Sequence, residues 1–70
     1  MLKLAERLHA LRKERKLTQE NAAKELEISL KSYRRSEKNE REPTASTLVR
    51  MADFFDVTLD YLVGRSEERK

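Results

Sequence analysis

Seventy residues with no cysteine and one histidine, His9, make a single small domain without a disulfide framework and with too few soft ligands for a structural zinc site. Charged side chains are 41% and hydrophobic ones 37%. No apolar stretch approaches a membrane span or the core of a secretory signal, so the expectation is a soluble cytoplasmic protein with no membrane partner. Glycine and proline occur once each, too rarely for the turns of a sandwich or barrel, which points to an all-α fold.

The net charge of +3 is uneven. Residues 1–16 hold six Lys/Arg against two Glu, whereas residues 44–70 hold four basic and five acidic side chains. A basic first half suits a polyanion, though it also suits a solvated surface.

Leu4, Leu8 and Leu11 form one stripe at helical spacing and predict helix 1 over 2–15. Its cationic end, Arg12 to Lys16, suits the helix dipole. Thr18 reads as an N-cap for helix 2, Gln19 to Leu26, with Ala22, Ala23 and Leu26 inward. Ser29 caps helix 3, Leu30 to Lys38, with Tyr33 inward and Ser36 as a weak core residue. A polar loop ends at Pro43. Thr44 then caps helix 4, Ala45 to about Phe55, with Leu48, Met51, Ala52 and Phe55 inward. Thr58 caps a short helix 5 over Leu59 to Val63, which Gly64 stops. Residues 66–70 are expected to fray.

The informative unit is residues 19–38: a short helix, a tight break, then a helix with a cationic outer face. Lys31 and Arg35 are one turn apart and Arg34 flanks them. A helix fits the major groove of DNA, and arginine reaches both acceptors of guanine with its forked donors. Gln19 puts an amide at a helix N-terminus, where phosphate is favoured. His9 reads as a surface or boundary histidine. The chain has no nucleophile–base pair, metal cluster or glycine-rich phosphate loop, so neither an enzyme nor a cofactor is expected.

These stretches resemble the Cro/cI-type helix-turn-helix family, the lambda-repressor-like DNA-binding domains. The matching residues are Leu11 to Glu14, Leu17 to Glu20, Ala23 with Leu26, Ile28-Ser29, Tyr33 to Lys38, Arg41 to Thr44, Leu48 to Ala52 and Phe55 to Leu62. The resemblance implies a compact five-helix bundle over residues 1–65, with 66–70 as a frayed tail. It implies a transcriptional regulator, a repressor of phage or mobile-element type, that binds a double-stranded DNA operator as a homodimer. Base-reading positions fall on Leu30, Lys31, Ser32, Arg34 and Arg35. Backbone contacts fall on Arg12, Gln19, Ser29, Lys38, Asn39 and Arg41. Arg12 and Glu37 would pair to orient helix 3. Phe54, Tyr61, Leu62 and Val63 would supply the dimer interface. The alternative is an interaction module on the same fold, with an antirepressor or toxin protein as partner.

The chain departs from the family where glycine is usual, with Lys16 after helix 1, Glu27 after helix 2 and Asn39 after helix 3. A left-handed backbone at Lys16 or Glu27 costs about 1 kcal/mol relative to glycine, unless the turn takes another shape. Ala22 and Ser36 thin the core, so low stability of the monomer is expected.

Overall fold

Every helix after the first begins at a Ser or Thr side chain that takes up a free amide of its first turn. The computed structural model describes residues 3–70 and places α1 at Leu4–Glu14, α2 at Gln19–Leu26, α3 at Leu30–Glu37, α4 at Ala45–Phe54 and α5 at Leu59–Val63. Among the described residues there is no strand. Thr18 accepts from the Asn21 amide at 3.0 Å and Ser29 from that of Ser32 at 3.1 Å. Thr44 accepts from Thr47 at 3.3 Å and Thr58 from Tyr61 at 3.0 Å. α1 has no side-chain cap. Leu2, expected to open helix 1, lies outside the described residues.

The helix ends are equally uniform. After each helix one residue turns left-handed and the next amide reaches back five residues to a helix carbonyl. Leu17 donates to the Arg12 carbonyl, Ile28 to Ala23, Glu40 to Arg35, Val57 to Ala52 and Arg65 to Asp60, at 2.8–3.2 Å. This closure satisfies carbonyls that the helix cannot pair itself. The left-handed residues are Lys16, Glu27, Asn39, Asp56 and Gly64, with φ of 58°, 59°, 61°, 56° and 94°. Lys16 and Glu27 therefore adopt the strained form, and Asp56 joins them without having been expected to. Three connections share one pattern of three residues: a left-handed charged residue, an apolar residue, then a Ser/Thr cap. They are Lys16-Leu17-Thr18, Glu27-Ile28-Ser29 and Asp56-Val57-Thr58.

The principal helix contacts close a ring: α1 on α3, α3 on α2, α2 on α4, α4 on α5 and α5 on α1. Inside it lie Leu4, Leu8, Leu11, Ala22, Ala23, Leu26, Tyr33, Leu48, Met51, Ala52, Phe55, Val57 and Leu62. The inward stripes of α1, α2 and α4 agree with their helical spacing. Ser36 is buried, and its hydroxyl donates to the Ser32 carbonyl at 3.1 Å.

Two expectations are corrected. The first concerns residues 66–70, which lie along α1 and α5 rather than apart from the bundle. Arg7 is buried on α1 and donates to the carbonyls of Tyr61 and Ser66 and, at 3.0 Å, to the Glu67 carboxylate. The Thr58 amide donates to the Arg69 carbonyl at 2.7 Å, and the Arg69 guanidinium grips Glu14 through two hydrogen bonds. Lys70 pairs with Asp56. Tyr61 lies between the guanidinium groups of Arg7 and Arg69, 4.0 and 5.5 Å from its ring centre. Long-range charge-assisted bonds and cation–π contacts hold the segment across α1 and α5. The second concerns Leu62. It is fully buried beneath α1 and α4, so it belongs to the core and offers no surface to a dimer partner.

The turns generate a stability test. Lys16→Gly and Glu27→Gly should each raise the urea midpoint, by about 1 kcal/mol of unfolding free energy, and the gains should add. Gly64→Ala should do the reverse, because the new Cβ would meet the Lys3 Cβ at 2.9 Å on a left-handed backbone. Unchanged midpoints for both glycine variants would show that the turns carry no strain.

Candidate nucleic-acid interface

α3 is short, and its periodicity sorts its side chains cleanly. Tyr33 and Ser36 point into the core, Lys31, Arg34 and Arg35 are exposed, and Leu30 and Ser32 sit at the boundary. Leu30, Lys31, Arg34, Arg35, Lys38 and Glu40 line one shallow groove along the helix. Among the described residues none of Lys31, Arg34, Arg35, Lys38 or Arg41 makes an ion pair. The paired surface cations lie elsewhere, on α1, α4 and the C-terminal segment. The outer face of α3 thus presents unneutralised positive charge on a rod narrow enough for a major groove.

The other end of α3 is anchored at Glu37. Its side chain is only 4% exposed, and Arg12, Gln19 and His9 converge on it. Arg12 of α1 gives Nε to Oε2 at 2.7 Å and Nη2 to Oε1 at 3.2 Å. Gln19 of α2 gives Nε2 to Oε1 at 3.2 Å, and His9 Nδ1 lies 3.2 Å from the same oxygen. The remaining Arg12 nitrogen, Nη1, donates to the Leu17 carbonyl at 2.9 Å. One carboxylate therefore ties α3 to both α1 and α2. Burial opposes its ionisation, but Arg12 first, then the nearby Tyr33 hydroxyl, His9 and Gln19 outweigh that and hold its pKa below the usual carboxylate range. The hydrogen bond to Glu37 raises the Arg12 pKa in turn. The Tyr33 hydroxyl is close enough to feel both charges, yet it is buried without a hydrogen bond of acceptable geometry. Burial, first of all, pushes its pKa up.

The structure brings together Leu30, Lys31, Arg34, Arg35 and Lys38 on one side of α3, and Ser32 lies nearby at the boundary. Ser29, Asn39 and Arg41 are exposed on the flanking turns. The Ser29 oxygen is engaged as the cap of α3 but keeps its own proton to donate. Arg12 is corrected as a backbone contact. It is buried, and its guanidinium is turned onto Glu37, Leu17 and His9. Gln19 is half-buried, with its amide on Glu37. Of the proposed interface residues, Phe54, Tyr61 and Val63 are half-buried, while the large hydrophobics most open to solvent are Val49 and Leu59. Sequence reasoning missed His9 and Gln19 at Glu37, and it missed Arg7. Arg7 had a signal: with Leu4, Leu8 and Leu11 it completes the i, i+3, i+4, i+7 pattern.

A helix-turn-helix family model matches residues 8–62. The chain belongs to that helix-turn-helix family. It is 42% identical over 66 residues to the HTH-type transcriptional regulator YqaE of Bacillus subtilis, covering 93% of this chain and 57% of that protein. It is 42% identical over 64 residues to the cryptic phage CTXphi transcriptional repressor RstR of Vibrio cholerae, covering 91% and 57%. The HTH-type transcriptional regulator ImmR of Bacillus subtilis is 32% identical over 69 residues, covering 99% and 54%. The chain thus spans little more than half the length of these relatives. No solved structure matches it.

The anchor at Glu37 sets two tests. Its lowered pKa means that its contribution is complete above the unfolded-state value and is lost as pH falls through the folded-state value. Stability should therefore drop on acidification below about pH 4.5. Glu37→Gln should flatten that acid limb and cost about 3 kcal/mol at neutral pH, because Arg12 is left buried without its counter-charge. Tyr33→Phe should leave stability unchanged or raise it by up to about 1 kcal/mol, since it removes an unsatisfied buried hydroxyl. A loss on thermal melting of Tyr33→Phe would mean that the hydroxyl is bonded after all.

Proposed function

We propose that this domain binds duplex DNA sequence-specifically and regulates transcription as a repressor of phage or mobile-element type. α3 enters the major groove and α2 crosses the phosphate backbone. The observation that carries this reading is the unpaired cationic face of α3, held at a fixed angle by the Glu37 anchor. The phage repressor RstR among the relatives supports the regulatory assignment. Among the described residues no helix is long and apolar enough to cross a membrane, and a regulator of this kind acts in the cytoplasm, where its operator is.

In this proposal Lys31, Arg34 and Arg35 read base edges, with Leu30 and Ser32 supplying apolar and hydroxyl contacts. Ser29, Lys38, Asn39 and Arg41 hold phosphates, and Gln19 does so through its place at the start of α2. One α3 covers few base pairs, so useful specificity needs two copies, with half-sites about one helical turn (roughly 34 Å) apart. The half-buried Phe54, Tyr61 and Val63, with the exposed Val49 and Leu59, are the apolar surface available for that pairing.

Selection from random duplexes followed by titration tests the reading. A two-fold symmetric site should emerge. Arg35→Ala should relax the preference at one base pair per half-site, a loss of about 1–3 kcal/mol in discrimination. Arg41→Ala should weaken all sequences alike and reduce the salt slope by about one. No enriched site, with binding unaffected by Arg35→Ala, would remove the proposal.

A further inference from the structure

A second groove lies between the end of α1, the outer side of α2 and the end of α4. Arg15, Leu17, Asn21, Lys24, Glu25 and Phe54 line it, and it shares no residue with the groove along α3. Its volume of about 470 Å³ has room for a few side chains. Leu17 and Phe54, both half-buried, give it an apolar wall, and Phe55 stacks edge-on behind Phe54 at 4.9 Å.

Arg15 is the distinctive group. Its guanidinium lies 5.3 Å from the Phe54 ring centre and 5.6 Å from that of Phe55. Arg7 and Arg69 also stack on an aromatic ring, but each is matched by a carboxylate, Glu67 for Arg7 and Glu14 for Arg69. Among the described residues Arg15 has no ion-pair partner, and Glu14 and Asp56 act on it only from a distance. Stacking on an aromatic face orients the guanidinium and leaves its forked edge free to donate. A head already ordered loses less entropy on binding. Lys24 adds a second unpaired cation, against the one carboxylate of Glu25.

We propose that this groove docks an acidic segment of a protein partner, with one carboxylate on the Arg15 fork and an adjacent apolar side chain against Phe54 and Leu17. The charge of the lining calls for an anion. The apolar wall calls for a neighbouring hydrocarbon side chain, larger than the oxygen-substituted deoxyribose that a nucleic-acid backbone offers. Because the α3 groove is separate, a partner seated here leaves the reading cations free and competes only for Phe54 with the pairing of two copies.

Panning a displayed library of random twelve-residue peptides on the full chain, with non-specific duplex present to occupy α3, tests this. Enriched peptides should carry Asp or Glu beside Leu, Phe or Trp. They should shift the amide signals of Leu17, Asn21, Lys24 and Phe54. Arg15→Gln should weaken them about tenfold, the loss of one charge-assisted bidentate contact. Lys24→Glu, on an exposed helix face, should weaken them too, and DNA affinity should change by less than about twofold for Arg15→Gln, since the contact is separate from α3. The proposal is overturned if no peptides are enriched, if the enriched ones lack acidic residues or bind Arg15→Gln equally well, or if their shifts fall on α3. It is also overturned if Arg15→Gln weakens DNA binding as much as peptide binding, which would make the groove a phosphate contact, or changes the sedimentation of the free chain, which would make it a contact between copies.

Discussion

The carboxylate of Glu37 is the constraint on which the geometry of this domain rests. A helix of eight residues such as α3 is too short to hold its own direction in water. Here its last residue is clamped by Arg12 from α1 and by Gln19 from α2, and its inward face is fixed by Tyr33. A buried ion pair contributes little net stability once desolvation is counted, so its value lies in direction. Two forked hydrogen bonds fix a planar carboxylate against a planar guanidinium, which sets the roll of α3 as well as its distance. The exposed cations then point where that roll sends them.

The charges of the molecule separate into two populations by environment. One is internal and structural: Arg7 and Arg12 are arginines spent on carbonyls and carboxylates beneath the surface. The other is external: Arg50, Arg69 and Lys70 are paired, whereas Lys31, Arg34, Arg35, Lys38 and Arg41, along α3 and the turn after it, make no ion pair among the described residues. Of the C-terminal acids, Glu67 is engaged away from α3, on Lys3 and Arg7. The proximity of Lys3 holds the Glu67 carboxyl below its ordinary range, consistent with that engagement. A chain with 41% charged residues can thus keep one face strongly positive while its net charge stays small.

Local chemistry was readable and distant chemistry was not. Thr18, Ser29, Thr44 and Thr58 each announce a helix because capping is decided within three residues. The inward residues of α4 follow from helical period alone. The pairing of Arg12 with Glu37 came from family resemblance, because nothing in the local pattern joins residues 25 apart. The C-terminal segment looked like a polar tail because its partners on α1 are 55–60 residues away. Leu62 was misplaced for a different reason. A five-residue helix is too short for periodicity to separate its faces, so an apolar Tyr61-Leu62-Val63 run could not show which residue turns inward. Arg7 lies in the core stripe of α1 although it carries a charge, and charge is the signal that usually marks a surface position.

The left-handed turns bear on how long such a protein lasts in a cell. Lys16 and Glu27 together give up roughly 2 kcal/mol that glycine would save, and Asp56 less, since aspartate tolerates a left-handed backbone, against the 5–15 kcal/mol typical of a whole domain. The globally opened form is correspondingly more populated and more exposed to proteases, which act on it whenever it appears. Stability given up at such turns can be regained there without repacking the core. Lys16, Glu27 and Asp56 are surface positions that lie outside the hydrophobic core and off the α3 groove.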